Sequence, residues 1–312
     1  MANATPSRLG QVNASGATDA LFLKVFSGEV LTAFDRVQVM QNRIRTRRIS
    51  SGKSAQFPVT GTATASYHTP GAELNGANAI KANELVISID GLLVADVFIS
   101  NWDEAVNHYD VRGNYAHQLG QALANTFDRN ALQVGYLAAR ASATISGGNG
   151  GSALTNSVYG TDAEVLASGL FAAAQKLDEK DIGPDNRFAV VRPAQYYLLA
   201  QSTKVLNKDW GGAGAYSDGK VLRIAGVEVV KSNNLPQANI SANTGENNTY
   251  SGDFSNSRAL VMTNEAVGCV KLLDLAVEKE YQIQRQGTLM VAKFALGMGI
   301  LRPECAVELK TA

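Results

Sequence analysis

SSGKSAQFPVTGTATASYHTPGAELNGANAIKAN, from Ser50 to Asn83, is the stretch on which the reading of the fold turns. It is made of Gly, Ser, Thr, Ala and Asn with few large apolar side chains, so it cannot pack a core of its own. Either it is disordered, or it is a long hairpin that becomes ordered by lying on another subunit. Just before it, no acidic residue occurs from Arg36 to Ala72, and VQVMQNRIRTRR alternates in places as an extended strand does. That pattern places Arg43, Arg45 and Arg47 on one face.

Downstream, ELVISIDGLLVADVFI sets Leu85, Ile87 and Ile89 on one side of a half-buried strand. It turns at Asp90 and Gly91 and resumes as a strand from Leu92 to Ile99. Ser100 and Asp103 match the S-x-x-D pattern of a helix start. After an interruption at Gly113, Tyr115, Leu119, Leu123, Phe127 and Ala131 recur every four residues, which predicts a long helix over 114–139. GGNGG, Gly147 to Gly151, is a flexible break. Beyond it, TDAEVLASGLFAAAQKLDEKDIG predicts a helix capped near Thr161 or Asp162, RFAVVRP a buried strand, AQYYLLAQ a helix, and VLRIAGVEVVKS a hairpin turning at Ala225 and Gly226. RALVMT, VGCVKLLDLAVE and a strand-rich tail close the chain, whose fold class is α+β.

With 312 residues the chain is long enough to bury roughly 75% of its unfolded surface. Lys plus Arg and Asp plus Glu each number 28, and zero net charge excludes a strongly basic nucleic-acid binder. Charged residues are 18% against about 25% in average soluble proteins, as expected where neighbours cover much of each subunit. Cys269 and Cys305 are too few for a disulfide scaffold and read as small buried apolar residues. The polar start without a hydrophobic signal core, and the lack of a membrane-length apolar run, lead to the expectation of a soluble intracellular product with no membrane partner.

Several motifs compete for a catalytic reading. RRISSGKSAQF, Arg47 to Phe57, ends like a P-loop, and LVISID ending in Asp90 imitates a magnesium-holding strand; Lys53, Ser54 and Asp90 would then serve nucleotide hydrolysis. But Arg47 stands where that loop needs its first glycine. GMGILR has Arg302 in place of the third glycine of a dinucleotide fingerprint, and Ala215 replaces the first glycine of a serine-hydrolase elbow at Tyr216 to Gly219. Glu104, His108 and Arg112 share a helix face, better explained by a surface hydrogen-bond network than by a metal. No residue set is expected to be catalytic, cofactor-binding or metal-ligating. The basic run admits direct nucleic-acid contact, but it lacks interleaved aromatics and fits acidic partners on a neighbouring subunit better. Arg43, Arg45, Arg47, Arg48, Lys53, Phe57 and Tyr67 are therefore the candidate inter-subunit contacts.

LFLKVFSGEVLTAF, RRISSGKSAQFPV, ISIDGLLVADVFI, NHYDVR followed by QLG, GVEVV, AVGCVKLLDLAVE and AKFALGMGILRPE together resemble the major capsid proteins of short-tailed phages of the T-seven kind (autographiviruses, podovirus morphology). These runs reach from Leu21 to Glu304 in the family's order. The resemblance implies the tailed-phage capsid fold of the Hong Kong ninety-seven type. Its parts would be an N-terminal arm (1–47), an extended loop (48–90), a peripheral domain with a long spine helix (91–150), an axial domain (151–262) and a return to the peripheral domain (263–312). It also implies pentamers and hexamers of this chain, a scaffolding protein during assembly, a portal protein and packaged double-stranded DNA. Such a protein resides in the virion and is assembled in the host cytoplasm. The first twenty residues and Ser142 to Asp185 depart most from the family. No residues point to a covalent cross-link or a self-cleaving segment. A nanocompartment shell of the same fold is the structural alternative.

Overall fold

A computed structural model describes residues 39–71, 73, 76, 79–106, 111–202, 223–241 and 246–312. The arm residues 1–38, His108 and the Tyr216–Gly219 motif lie outside the described residues, as do the side chains of Glu104 and Arg112. In chain order the elements begin with β1 (Arg45–Arg48), β2 (Ser54–Thr60), β3 (Ala82–Ser88), β4 (Leu93–Ser100), α1 (Asn101–Val106), α2 (Val111–Arg140) and β5 (Ser152–Thr155). They continue with α3 (Ala163–Asp178), β6 (Phe188–Val191), α4 (Pro193–Gln201), β7 (Arg223–Ile224), β8 (Val227–Lys231), β9 (Asn239–Ile240) and β10 (Gly252–Asp253). β11 (Ser257–Met262), β12 (Val267–Gln282), β13 (Gly287–Ile300) and β14 (Ala306–Lys310) complete the chain. Among the described residues no helix is long and apolar enough to cross a membrane.

The chain divides into two compact units. The described part of the first comprises Gly91–Val106, Val111–Phe127 and Leu272–Leu296. In it β4 runs antiparallel to β13, from Ser100 opposite Gly287 to Leu93 opposite Phe294, and β12 flanks β13 on the other side. The Ser100 hydroxyl accepts from Asp103 N at 3.1 Å and donates to the Asp103 carboxylate at 2.6 Å, so α1 starts where the capping pattern places it. α2 has 30 residues, about 45 Å at the usual rise, and Gly113 lies inside it instead of interrupting it.

The second unit comprises Val39–Asp90, Asp128–Lys271 and Gly297–Ala312, and holds a six-stranded sheet in the order β5-β14-β11-β6-β8-β7. On one face α3 and α4 contribute Leu166, Leu170, Leu177 and Leu199 to a core shared with Val191, Val261 and Leu309. On the other lies the second half of α2. There Gly135 leaves the room that closeness requires, since a Cβ would sit 2.6 Å from a Leu260 methyl and 3.1 Å from the Met262 sulfur. Asp162 caps α3 by accepting from Glu164 N (2.8 Å) and Val165 N (3.2 Å). The hairpin of β7 and β8 turns at Ala225 and Gly226, both with positive φ (52° and 75°), as a type I′ turn demands. GGNGG lies within this unit, where Gly151 packs against the carbonyls of Ala138 and Ala139.

Two expectations are corrected here. The strand predicted through VQVMQNRIRTRR begins only at Arg45. Ahead of it the buried Asp128 carboxylate takes the backbone N–H groups of Val39 (2.9 Å) and Met40 (3.2 Å), and Arg43 N closes a turn onto Met40 O (3.0 Å). Only Arg45 and Arg47 therefore alternate on one strand face. Nor do the strands on either side of Asp90 pair with each other. β3 returns along β2 as the stem of a hairpin, from Ser54 opposite Ser88 to Thr60 opposite Ala82, while β4 belongs to β13.

Candidate inter-subunit interface

The hairpin stem is made by alternation. Ala55, Phe57 and Ile87 are buried on one side, whereas Ser54, Gln56, Pro58, Thr60 and Glu84 are exposed. At its distal end Gly61 N donates to Lys81 O (2.7 Å), Asn83 Nδ2 to Thr144 O (2.6 Å), and Lys81 Nζ lies 3.3 Å from Ser146 Oγ. At its root Asp90 accepts from Asn247 N (2.9 Å), Asn248 N (2.9 Å), Asn248 Nδ2 (3.0 Å) and the Tyr250 hydroxyl. The Tyr250 oxygen in turn accepts from Met298 N at 2.9 Å. Burial first, and then the Asp90 carboxylate, raise the Tyr250 hydroxyl above its ordinary pKa and keep it a donor. Between these anchors residues 62–70 are exposed along their whole run, and Tyr67 is as open as an isolated side chain (106%).

Of the seven candidate contacts, the structure brings Arg47 and Phe57 together. The guanidinium donates to Gln56 O at 2.6 Å and lies 5.8 Å from the Phe57 ring centroid. Arg43 is engaged elsewhere in its own chain, with Glu228 (2.6 Å), Val39 O (3.2 Å) and the Phe188 ring (5.6 Å). Arg45, Arg48 and Lys53 are exposed, and Tyr67 marks the tip.

The nucleotide-hydrolase reading does not survive this geometry. A P-loop feeds a helix whose N-terminus holds phosphate, but Ser54 opens a strand, and Asp90 is occupied in pinning residues 247–250. GMGILR is explained by packing: a Cβ on Gly297 would collide with the Ser88 carbonyl, and one on Gly299 would meet Ile87 at 2.8 Å. The cysteines are buried as expected, and burial pushes the Cys269 thiol up to about 12.

Sequence reasoning missed the role of Asp90, whose Asp-Gly signal reads as a turn alone. It also missed Asp128, a helix carboxylate with no motif around it. The fully buried Glu308 was missed as well: it accepts from Arg140 Nε (2.7 Å), Arg140 Nη2 (2.6 Å) and the Ser257 hydroxyl (2.5 Å).

The spine helix, the long hairpin and the helix-covered sheet define a shell-building protein of the tailed-phage capsid fold. A chain from the capsid structure of cyanophage P-SCSP1u matches at a TM-score of 0.86 with 45% identity, covering 100% of this chain and 99% of that one. A chain of the bacteriophage PhiM1 mature capsid has the same fold at a TM-score of 0.76 and 22% identity, with 93% and 92% covered. The model of the Gp10A-like major capsid proteins matches residues 56–310. The major capsid protein of Escherichia phage T7 is 36% identical over 95% of this chain and 93% of its own. The chain belongs to the Gp10A-like family of major capsid proteins.

Proposed function

We propose that many copies of this chain, acting without catalysis, close into the icosahedral shell that encloses the double-stranded DNA of a tailed phage. The copies group as pentamers and hexamers. A scaffolding protein templates the precursor shell in the host cytoplasm, and DNA enters through a portal. The parts are those of the family: arm 1–47, extended loop 48–90, peripheral domain 91–150 and 263–312, axial domain 151–262. Arg43, Arg45, Arg47, Arg48, Lys53, Phe57 and Tyr67 belong to the surfaces between copies.

One observation carries this reading: the hairpin is anchored at both ends of its stem, yet residues 62–70 beyond it are all exposed and have almost nothing apolar to bury. A segment of that composition becomes ordered on another surface. A single interface of standard size, ~1,600 Å², gives limited affinity, but a closed lattice lets several per subunit reinforce one another. Zero net charge suits a wall that must not grip the packaged DNA.

The test is expression with and without a scaffolding partner, followed by negative-stain microscopy. Closed shells are expected. A chain that stays monomeric at high concentration under both conditions refutes the reading.

A further inference from the structure

Open sheet edges can add a strand from another chain, so natural proteins shorten, charge, kink or cover them. Among the described edges of this chain, those other than β4 are short, charged or occupied; β12 beyond Lys271, which β1 does not reach, has Asp274, Glu278, Lys279 and Glu280 in its sequence, and β9 and β10 have two residues each. β1 is four residues long and carries three arginines, β5 has four residues and β7 two. In the hairpin the bonds from Ile89 N to Lys53 O and from Gly61 N to Lys81 O (both 2.7 Å) fix the phase. By alternation, the even-numbered residues of β2 and β3 turn their backbone groups outward. There Pro58 has no N–H, and Arg47 occupies the Gln56 carbonyl (2.6 Å). Asn83 Oδ1 occupies the Glu84 N–H (2.8 Å), and Asn248 Nδ2 the Ser88 carbonyl (2.6 Å).

β4 is the exception. It is eight residues long, stands at the end of the order β1-β12-β13-β4, and keeps register with β13 throughout, without a bulge. LVADVFIS contains no proline and a single charge, Asp96. The bond from Asn101 N to Gln286 O (2.9 Å) sets its phase, so the backbone groups of Val94, Asp96 and Phe98 point away from β13. Among the described residues nothing bonds to them.

We propose that the outer edge of β4 receives an added strand from a second copy of this chain, supplied by residues 62–69 of the hairpin tip. The proposal rests on the shell reading above. TATASYHT has almost no apolar surface to bury, so main-chain hydrogen bonds must hold it, and these require an open edge. It matches β4 in length, has no regular structure in its own chain, and is exposed along its length. Thr and Tyr are good strand formers.

Val94→Pro removes only an outward-facing donor, and Val94→Lys adds a charge that guards the edge. Both variants are expected to keep the far-UV circular dichroism of the unaltered subunit while yielding at least tenfold fewer closed shells. For a direct readout, Ser66→Cys is combined in turn with Val94→Cys or Asp96→Cys, assembled under reduction and then oxidised; the native cysteines are buried. Disulfide-linked ladders on a non-reducing gel are expected from the pairs and not from Ser66→Cys alone. Shells of both pairs without a ladder overturn the proposal whatever the Val94 variants do. Failure of the unaltered chain to make shells overturns the shell reading instead.

Discussion

Arg140, in the last turn of α2, holds a carboxylate that is wholly buried. Glu308 on β14 has no exposed surface and takes two bonds from the Arg140 guanidinium, at 2.7 and 2.6 Å, plus the Ser257 hydroxyl. The same guanidinium caps Asp253 O (2.7 Å) and lies 5.3 Å from the Phe254 ring centroid, and the bond to Glu308 is the largest cause raising its pKa. Arg140→Ala leaves a buried carboxylate with only a hydroxyl donor, a loss of about 3–5 kcal/mol. At ~2–4 °C per kcal/mol for a chain of this size, the melting temperature falls by roughly 10 °C. Replacing both partners, Arg140→Ala with Glu308→Leu, removes the stranded charge and recovers most of that loss. The assay is thermal unfolding of the unassembled subunit, followed by circular dichroism at neutral pH. A single-variant cost below ~1 kcal/mol, or a double variant as unstable as Arg140→Ala, refutes the reasoning.

Three further outcomes follow from the same structure. Gly297→Ala drives a methyl into the Ser88 carbonyl and costs at least about 1–3 kcal/mol, while Gly183→Ala, with nothing within 4 Å, is near neutral; paired thermal melts compare them. Asp90→Ala strips the acceptor from residues 247–250 at about 1–3 kcal/mol, and their amides exchange faster by hydrogen-exchange mass spectrometry. Burial raises the Asp128 carboxyl above its ordinary value, against the bonds from Val39, Met40 and Asn234 that lower it. The folded state then holds that proton more tightly than the unfolded chain. Its ionisation weakens the fold as pH climbs through the raised value, and the deficit vanishes below the ordinary one. The stability of Asp128→Asn relative to the unaltered chain should therefore rise between pH 4 and pH 7 in urea titrations; a fall contradicts the sign.

What the sequence made legible is what short-range chemistry decides. Asp162 caps α3, Ser100 opens α1, and Ala225-Gly226 turns β7 into β8, because each signal and its partner lie within a few residues. The hairpin was legible as a composition that cannot fold alone. The partners of its strands were not: β4 finds β13 almost two hundred residues away, and LVISID carries no mark that sends it back along β2 instead of onto LVADVFI. Arg43 looked like one more member of a basic face, but Glu228 and Phe188, far along the chain, decide its contacts. Gly297 and Gly299 mimicked a nucleotide motif because close backbone approach requires the same residue in either setting.

In the proposed shell, copies of this chain order residues that one copy leaves exposed. Amide hydrogen exchange over residues 62–69, compared between closed particles and dissociated subunits, tests it directly. Slow exchange in particles and fast exchange in free subunits is predicted; equal protection in both contradicts the claim.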